Sequence, residues 1–225
     1  MISRYLKKPF KFDCLDQWLK KSDVKVLDIG CGNHSPSLTK SYYPQCHYYG
    51  LDRSRSYNLN EKDFASIEQF FEIDLQKDHH LSEVPDNFFD CIIVSHVIEH
   101  LGAGEEIVSS LCKKLKQNRV LYLEFPSLRS PRLPAMRRPF FGDSLNFYDD
   151  PTHVRLYQPS TLEECLQKSG CKILESKHRR SWKQIVFFPV YAIGSLVYLH
   201  YLSGGIFWDM TGFAYYIVAQ KADQK

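Results

Sequence analysis

The apolar positions of the chain alternate between two rhythms. Short apolar runs bounded by polar or glycine-containing segments predict buried strands at 24–29, 46–51, 69–73, 90–94, 119–125, 171–177 and 213–220. Apolar residues spaced three and four apart predict helices between some of them. Phe12, Leu15, Trp18 and Leu19 mark one within residues 1–22, and a second covers about 105–116. A third, capped by Ser160 or Thr161 with Glu163 and Glu164 in its first turn, runs to Lys168, where Gly170 stops it. Most gaps between strands leave room for a helix or a long crossover. The order predicts an α/β, Rossmann-like fold: a seven-stranded, mostly parallel sheet with helices on both faces and the last strand antiparallel.

Two segments break the rhythm. Residues 126–159 carry Pro126, Pro131, Pro134, Pro139, Pro151 and Pro159 together with Arg129, Arg132, Arg137 and Arg138. This is expected to be an ordered loop insert near the carboxyl ends of the strands, and its arginines suit a phosphate or carboxylate as readily as solvent. Residues 184–208 hold no Asp, Glu, Lys or Arg, and 185–202 form an apolar run near the lower length limit for a membrane span. Spanning is disfavoured because the strand at 213–220 has to return to the same sheet, and Pro189, Gly194 and His200 weaken it further. The 182–210 segment is left with three readings. It is a hydrophobic lid over the site, a membrane-interface element behind Lys177, Arg179, Arg180 and Lys183, or a buried helix or dimer contact.

Composition sets bounds on this picture. A chain of 225 residues with 44% hydrophobic residues and 14% aromatics supports one α/β domain, 1–225, with a sizeable core. The net charge of +3 does not argue for nucleic acid, and basic residues are not interleaved with aromatics in one stripe. Seven cysteines, an odd number with no Cys-x-x-Cys pair, read as buried hydrophobes in a reducing compartment. No apolar stretch follows the charged N-terminus, so no secretory signal is expected. The location expected is cytoplasmic, with peripheral contact at the inner face of the membrane on the interface reading.

The candidate chemistry gathers at strand ends, where open α/β sheets bind ligands. The first strand delivers Asp28-Ile-Gly-Cys-Gly32, and its glycines allow a tight turn and close backbone approach. The second delivers Asp52, placed to accept both hydroxyls of a ribose. The third delivers Asp74, placed to face an adenine amino group. Acids around a glycine turn form a nucleoside site. Ser35 stands where the dinucleotide fingerprint needs glycine, and no Gly-Lys-Ser/Thr is present, which disfavours pyrophosphate. Asp28 beside the turn suits a ligand with an amino group and a sulfonium.

Val26-Leu-Asp-Ile-Gly-Cys-Gly-Asn33 resembles the first motif of class I S-adenosylmethionine-dependent methyltransferases. Gly50-Leu-Asp-Arg-Ser54 and Glu72-Ile-Asp-Leu75 resemble the second and third. The segment from Phe89 to Leu101 is similar to that of the methyltransferase type 11 and 23 group, so the resemblance covers about residues 22–178. It implies S-adenosylmethionine as methyl donor. Gly30, Cys31 and Gly32 would line its methionine part, Asp28 would support its amino end, and Asp52 with Arg53 would hold the ribose. Asp74 with Leu75 would face the adenine, and Ser95 and His96 would contact donor or acceptor. Many relatives have glycine where this chain has His34, which implies a loop that bends differently or opens wider.

His96-Val-Ile-Glu99-His100 also fits His-x-x-Glu-His, a metal-binding pattern on a helix. The motif starts directly at a strand end and the resemblance already accounts for it, so no metal is expected; Glu99 and His100 then cap or brace the next helix. Asn146-Phe-Tyr-Asp-Asp-Pro-Thr-His-Val-Arg155 resembles the Asp-x-x-His-Val-Arg stretch after strand five of these enzymes. His153 is the candidate base for a hydroxyl acceptor, oriented by Asp149 or Asp150; the alternative is that it only ties the loop down. A Phe-Trp-Asp tail before the last strand is similar to that of methyltransferases of surface-polysaccharide and lipid-linked glycan pathways. The expectation is O-methylation of a sugar, glycan or lipid-linked acceptor. A quinone or small aromatic acceptor and a non-catalytic scaffold are the alternatives. No nucleic acid is expected, since no Asn/Asp-Pro-Pro-Tyr/Phe motif follows strand four.

Overall fold

The computed structural model describes residues 8–135, 145–202 and 205–223. Arg137, Arg138 and Pro139 of the loop insert, and the start of the 1–22 segment, lie outside the described residues.

In chain order the elements are α1 (Phe10–Leu19), β1 (Lys25–Ile29), α2 (Ser35–Tyr42), β2 (His47–Asp52), α3 (Glu61–Phe64), β3 (Gln69–Glu72) and β4 (Phe89–Ser95). Then follow α4 (Gly104–Lys114), β5 (Leu115–Pro126), α5 (Pro159–Lys168), β6 (Cys171–His178), α6 (Trp182–Val186), α7 (Phe188–Leu199), α8 (Gly205–Thr211) and β7 (Ala214–Lys221). The strands form one seven-stranded sheet in the order β3-β2-β1-β4-β5-β7-β6. β1 to β5 pair in parallel, and β7 runs antiparallel to both β5 and β6.

Side-chain alternation explains the near-continuous apolar runs. Val26, Tyr48, Ile93 and Tyr122 pack on one face with Phe12, Leu15 and Leu19 of α1. Leu27, Ile29, Ile92 and Val94 pack on the other with Ile107 and Leu111 of α4 and Leu162 and Leu166 of α5. Both faces are covered, so inner strands need apolar residues at every position. The partner of β1 switches from β2 to β4 at the middle of the sheet, and the crevice beyond their carboxyl ends is the ligand position of such folds.

Some boundaries differ from the sequence reading. β5 begins at Leu115, straight out of α4, because Phe89 pairs with Leu115 before a register shift; regular pairing resumes at Val120. The N-cap of α5 is Gln158, with Pro159 at the first position and no side-chain cap bond, so Ser160 and Thr161 lie inside the helix. Proline's fixed φ suits that first turn and replaces the expected hydroxyl cap. The apolar tail folds as α6, α7 and α8 rather than one helix, and no helix among the described residues is long and apolar enough to cross a membrane. Nor are α6 and α7 buried. Trp182, Val186, Phe187, Val190, Ile193 and Val197 are all more than half exposed, while among the residues of α7 whose burial is described the buried one is Ser195, whose hydroxyl donates to the Tyr201 carbonyl.

Candidate functional site

The turn after β1 is built for close approach. Gly30 has φ +68°, and a Cβ there would meet Val97 Cγ2 at 2.5 Å; a Cβ on Gly32 would meet the Tyr57 ring at 2.8 Å. Cys31 is buried in the core, its thiol pushed up by burial, with its sulfur where a Gly50 side chain would have to go. His34 follows in the left-handed region at φ +62°. At His34 the loop therefore has a backbone that glycine favours. Its Nδ1 lies 2.7 Å from the buried Asp63, and that bond offsets the strain of about 1–2 kcal/mol. Burial opposes the charge of Asp63, but hydrogen bonds from Ser37 and His34 hold its carboxyl below the usual range.

Asp52 ends β2 beside this turn. Its Oδ2 accepts from the Gly32 amide at 3.2 Å and its Oδ1 from the Arg53 amide at 2.8 Å, so Arg53 contributes backbone while its side chain is exposed. Burial outweighs these bonds and pushes the Asp52 carboxyl up. Asp74 follows β3, half-buried, with Oδ1 accepting from the Gln76 amide at 3.1 Å, and the Ile73 amide ties the two strand ends together by donating to the Asp52 carbonyl. Asp28 does not join them. It shares the face of Val26 and is buried under the turn, where Oδ2 accepts from Ser35 at 2.6 Å and Tyr48 at 2.7 Å and lies 3.5 Å from Lys11. It braces the turn from below. Leu75 also faces inward, into the core with Ile73 and Leu81.

Across the crevice, β4 ends at Ser95, paired with Glu124, and His96 sits at φ +56°. No helix carries both histidines, because the left-handed turn at His96 precedes a single 3-10 turn at Ile98–His100. His96 Nε2 lies 2.9 Å from Glu124 and Nδ1 3.1 Å from Glu99, both carboxylates almost fully buried. Burial alone would lower its pKa, but the two carboxylates raise it to about 9. His96 is an imidazolium at neutral pH and cannot act as the base. Glu124 is held well below the carboxylate range by Arg179, which also bonds Asp209 at 2.8 Å. Trp208 of α8 packs on His96 with ring centroids 4.6 Å apart.

The 145–157 loop is clamped to the same place. Val154 and Arg155 both donate their amides to the Glu99 carbonyl, and the Arg155 guanidinium bonds Glu105. The Tyr157 hydroxyl donates to the Leu101 carbonyl and accepts from the Gly104 amide. His153 is thereby carried beside Glu99. Asp149 does not supply an orienting bond through Oδ2, which accepts from the Leu145 and Asn146 amides and caps the 3-10 turn Phe147–Asp149. Asp150 stands 4.0 Å from His153 Nε2, beyond hydrogen-bond range, with its Oδ1 held by Thr152. The orienting acceptor is the Phe147 carbonyl, 2.7 Å from His153 Nδ1. A carbonyl only accepts, so Nδ1 carries a proton, and in the neutral ring the lone pair is on Nε2.

Residues 4–176 match the model of a family described as "methyltransferase domain". The chain belongs to that family. It is an S-adenosylmethionine-dependent methyltransferase, and S-adenosylmethionine is its methyl donor. No curated protein matches the chain. Solved structures share its fold. A SAM-dependent methyltransferase from Archaeoglobus fulgidus is 20% identical, with TM-score 0.60 over 98% of this chain and 93% of that one. One from Mesorhizobium loti is 15% identical, with TM-score 0.64 over 94% and 97%. The cyclase SpnF is 18% identical, with TM-score 0.60 over 95% and 81%.

The methyltransferase's own residues fit the donor. The glycine turn lets the backbone lie close against Val97 and Tyr57 without a side chain of its own, and Asp52 keeps a carboxylate at the strand end whose burial is only partly compensated, as expected where further hydrogen-bond donors are to come. Sequence reasoning missed Glu124, Arg179 and Trp208. The signal for the first was visible: a lone acid in Leu-Tyr-Leu-Glu-Phe at a strand end. Arg179 reads in the sequence as a surface charge, and only the fold packs its side chain, 12% exposed, against Glu124 and Asp209. A surface cleft between α4, α5 and β7, bounded by Ser109, Cys112, Cys165 and Lys221, includes none of these site residues.

Proposed function

We propose that the methyltransferase methylates a hydroxyl oxygen of a lipid-linked glycan while resting on a membrane surface. When bound, the donor supplies an electrophilic methyl carbon on a sulfonium. The chain orients the acceptor in line with it and keeps water out with Trp208 and the tail helices. The hydroxyl proton leaves toward the Glu99, His100 and His153 group, since imidazolium His96 holds a proton already.

The observation that carries the reading is the contact of Trp208 with His96. Through α8 it joins an exposed apolar helix pair to the end of β4, so an acceptor with a lipid tail could lie on the helices and present its polar end to the crevice. Exposed Arg129 and Arg132 follow β5 and suit a phosphate-bearing acceptor. A quinone with an isoprenoid tail would use the same helices, and it is the second reading.

The test is transfer of label from donor into cell extract, fractionated into lipid, polysaccharide, small-molecule and RNA pools. Label is expected in base-stable ethers of the lipid-linked glycan pool. Label in prenylated aromatics would favour the quinone, and label in RNA would overturn both readings. His153→Ala is expected to lose at least about 100-fold in turnover with donor binding unchanged.

A further inference from the structure

Glu99 is a buried carboxylate that is only half used. Its Oε1 faces His96 Nδ1 at 3.1 Å, while Oε2 is buried with no hydrogen-bond partner among the described residues. A buried oxygen of a charged group left without a donor is costly unless something else meets it. One donor atom each of Glu99, His100 and His153 lies within 4.8 Å of the other two.

The two imidazoles are prepared alike. His153 Nδ1 donates to the Phe147 carbonyl at 2.7 Å. His100 Nδ1 lies 3.2 Å from the Thr152 carbonyl and 2.9 Å from the Thr152 hydroxyl. That hydroxyl gives its own proton to Asp150 Oδ1 at 2.6 Å, so His100 Nδ1 must be the donor there too. In the neutral form each ring then carries its lone pair on Nε2. A ring nitrogen fixed by a backbone or hydroxyl acceptor, with the other nitrogen free, is the usual support of a metal-bound histidine. His153 Nε2 lies 4.0 Å from Glu99 Oε1 and 4.0 Å from Asp150 Oδ2. A first-row dication held at roughly 2.0–2.2 Å by each donor needs donors no more than about 4 Å apart, so the three groups, within 4.8 Å of one another, draw together slightly on binding.

We propose that Glu99, His100 and His153 bind one divalent transition-metal cation, with Asp150 at its edge, a site not expected from the sequence. Two imidazoles and a carboxylate suit Zn2+, Co2+ or Mn2+ better than Mg2+, and they leave coordination positions open. Those positions would take the acceptor hydroxyl and a neighbouring oxygen, and the cation would release the hydroxyl proton to water, with His153 as ligand. This role rests on the O-methylation reading; cation binding itself does not.

The test uses the full-length protein stripped with chelator and titrated with Co2+, followed by its visible absorption and by elemental analysis after dialysis, with Zn2+ as competitor. One equivalent is expected, displaced by Zn2+. Glu99→Gln, which keeps an acceptor for His96 but not its charge and so lowers the melting temperature, and His100→Ala, with a melting temperature near wild type, are each expected to weaken binding at least tenfold. His47→Ala, at a half-buried histidine on β2 outside this group, should bind as wild type does. No stoichiometric binding by wild type, or full binding by both site variants, would overturn the site. In the first case methyl transfer can still proceed with His153 as direct base. Bound cation without any methylated hydroxyl product would instead sink the acceptor reading and leave the site standing.

Discussion

His96 is the residue on which the acceptor side turns. Its imidazolium is held between two carboxylates and lies under Trp208, with the side chain 21% exposed. Its folded pKa of about 9 stands above the ordinary 6.5, so its protonation stabilises the fold. The contribution is complete below about pH 6.5, shrinks between there and pH 9, and is absent above. Its upper bound is on the order of 3 kcal/mol. Denaturation of wild type and His96→Gln should therefore differ most near pH 6 and converge by about pH 9.5. A stability gap that stays constant across that range would show that the ring is neutral in the folded protein.

At the scale of elements, α6 and α7 have apolar side chains on the outside. A helix that exposes Val190, Ile193, Leu196 and Val197 and buries Ser195 is inverted for water and suited to an apolar surface. Arg179, expected to face lipid, is instead buried with Glu124 and Asp209, which leaves Lys177 and Arg180 as the described basic residues nearby. The binding we expect is thus mainly apolar and only weakly dependent on salt. The chain should co-sediment with anionic vesicles, and Val190→Asp with Val197→Asp should abolish this while leaving donor affinity unchanged. Sedimentation that persists in the double variant would assign the face to something other than lipid.

At the scale of the molecule, the sheet brings the ends of β1, β2 and β4 together, so donor binding is expected to stabilise the whole domain. A ligand at 100 times its Kd adds about 2.7 kcal/mol, roughly 5–10 °C for a chain of this size. Saturating S-adenosylmethionine should raise Tm by about that much in wild type and by far less in Asp52→Ala. An equal shift in both would mean that Asp52 does not hold the ribose.

The sheet, its order of elements and the glycine turn were legible in the sequence because each is written locally. Short apolar runs state a buried strand, and the glycines of Asp28-Ile-Gly-Cys-Gly32 state a turn with no room for a Cβ. Which way a strand-end acid faces was not written there. Asp28 and Asp52 look alike in sequence, yet one is turned beneath the glycines by Tyr48 and Ser35 and the other stands at the crevice. Likewise His96 and His100 invite pairing by spacing. The left-handed backbone at His96 separates them, and a loop some fifty residues on brings His153 to His100 instead. Local periodicity determined the scaffold; long-range packing decided the charge states and partners of the acceptor side, because burial and proximity between distant segments exist only once the chain has folded.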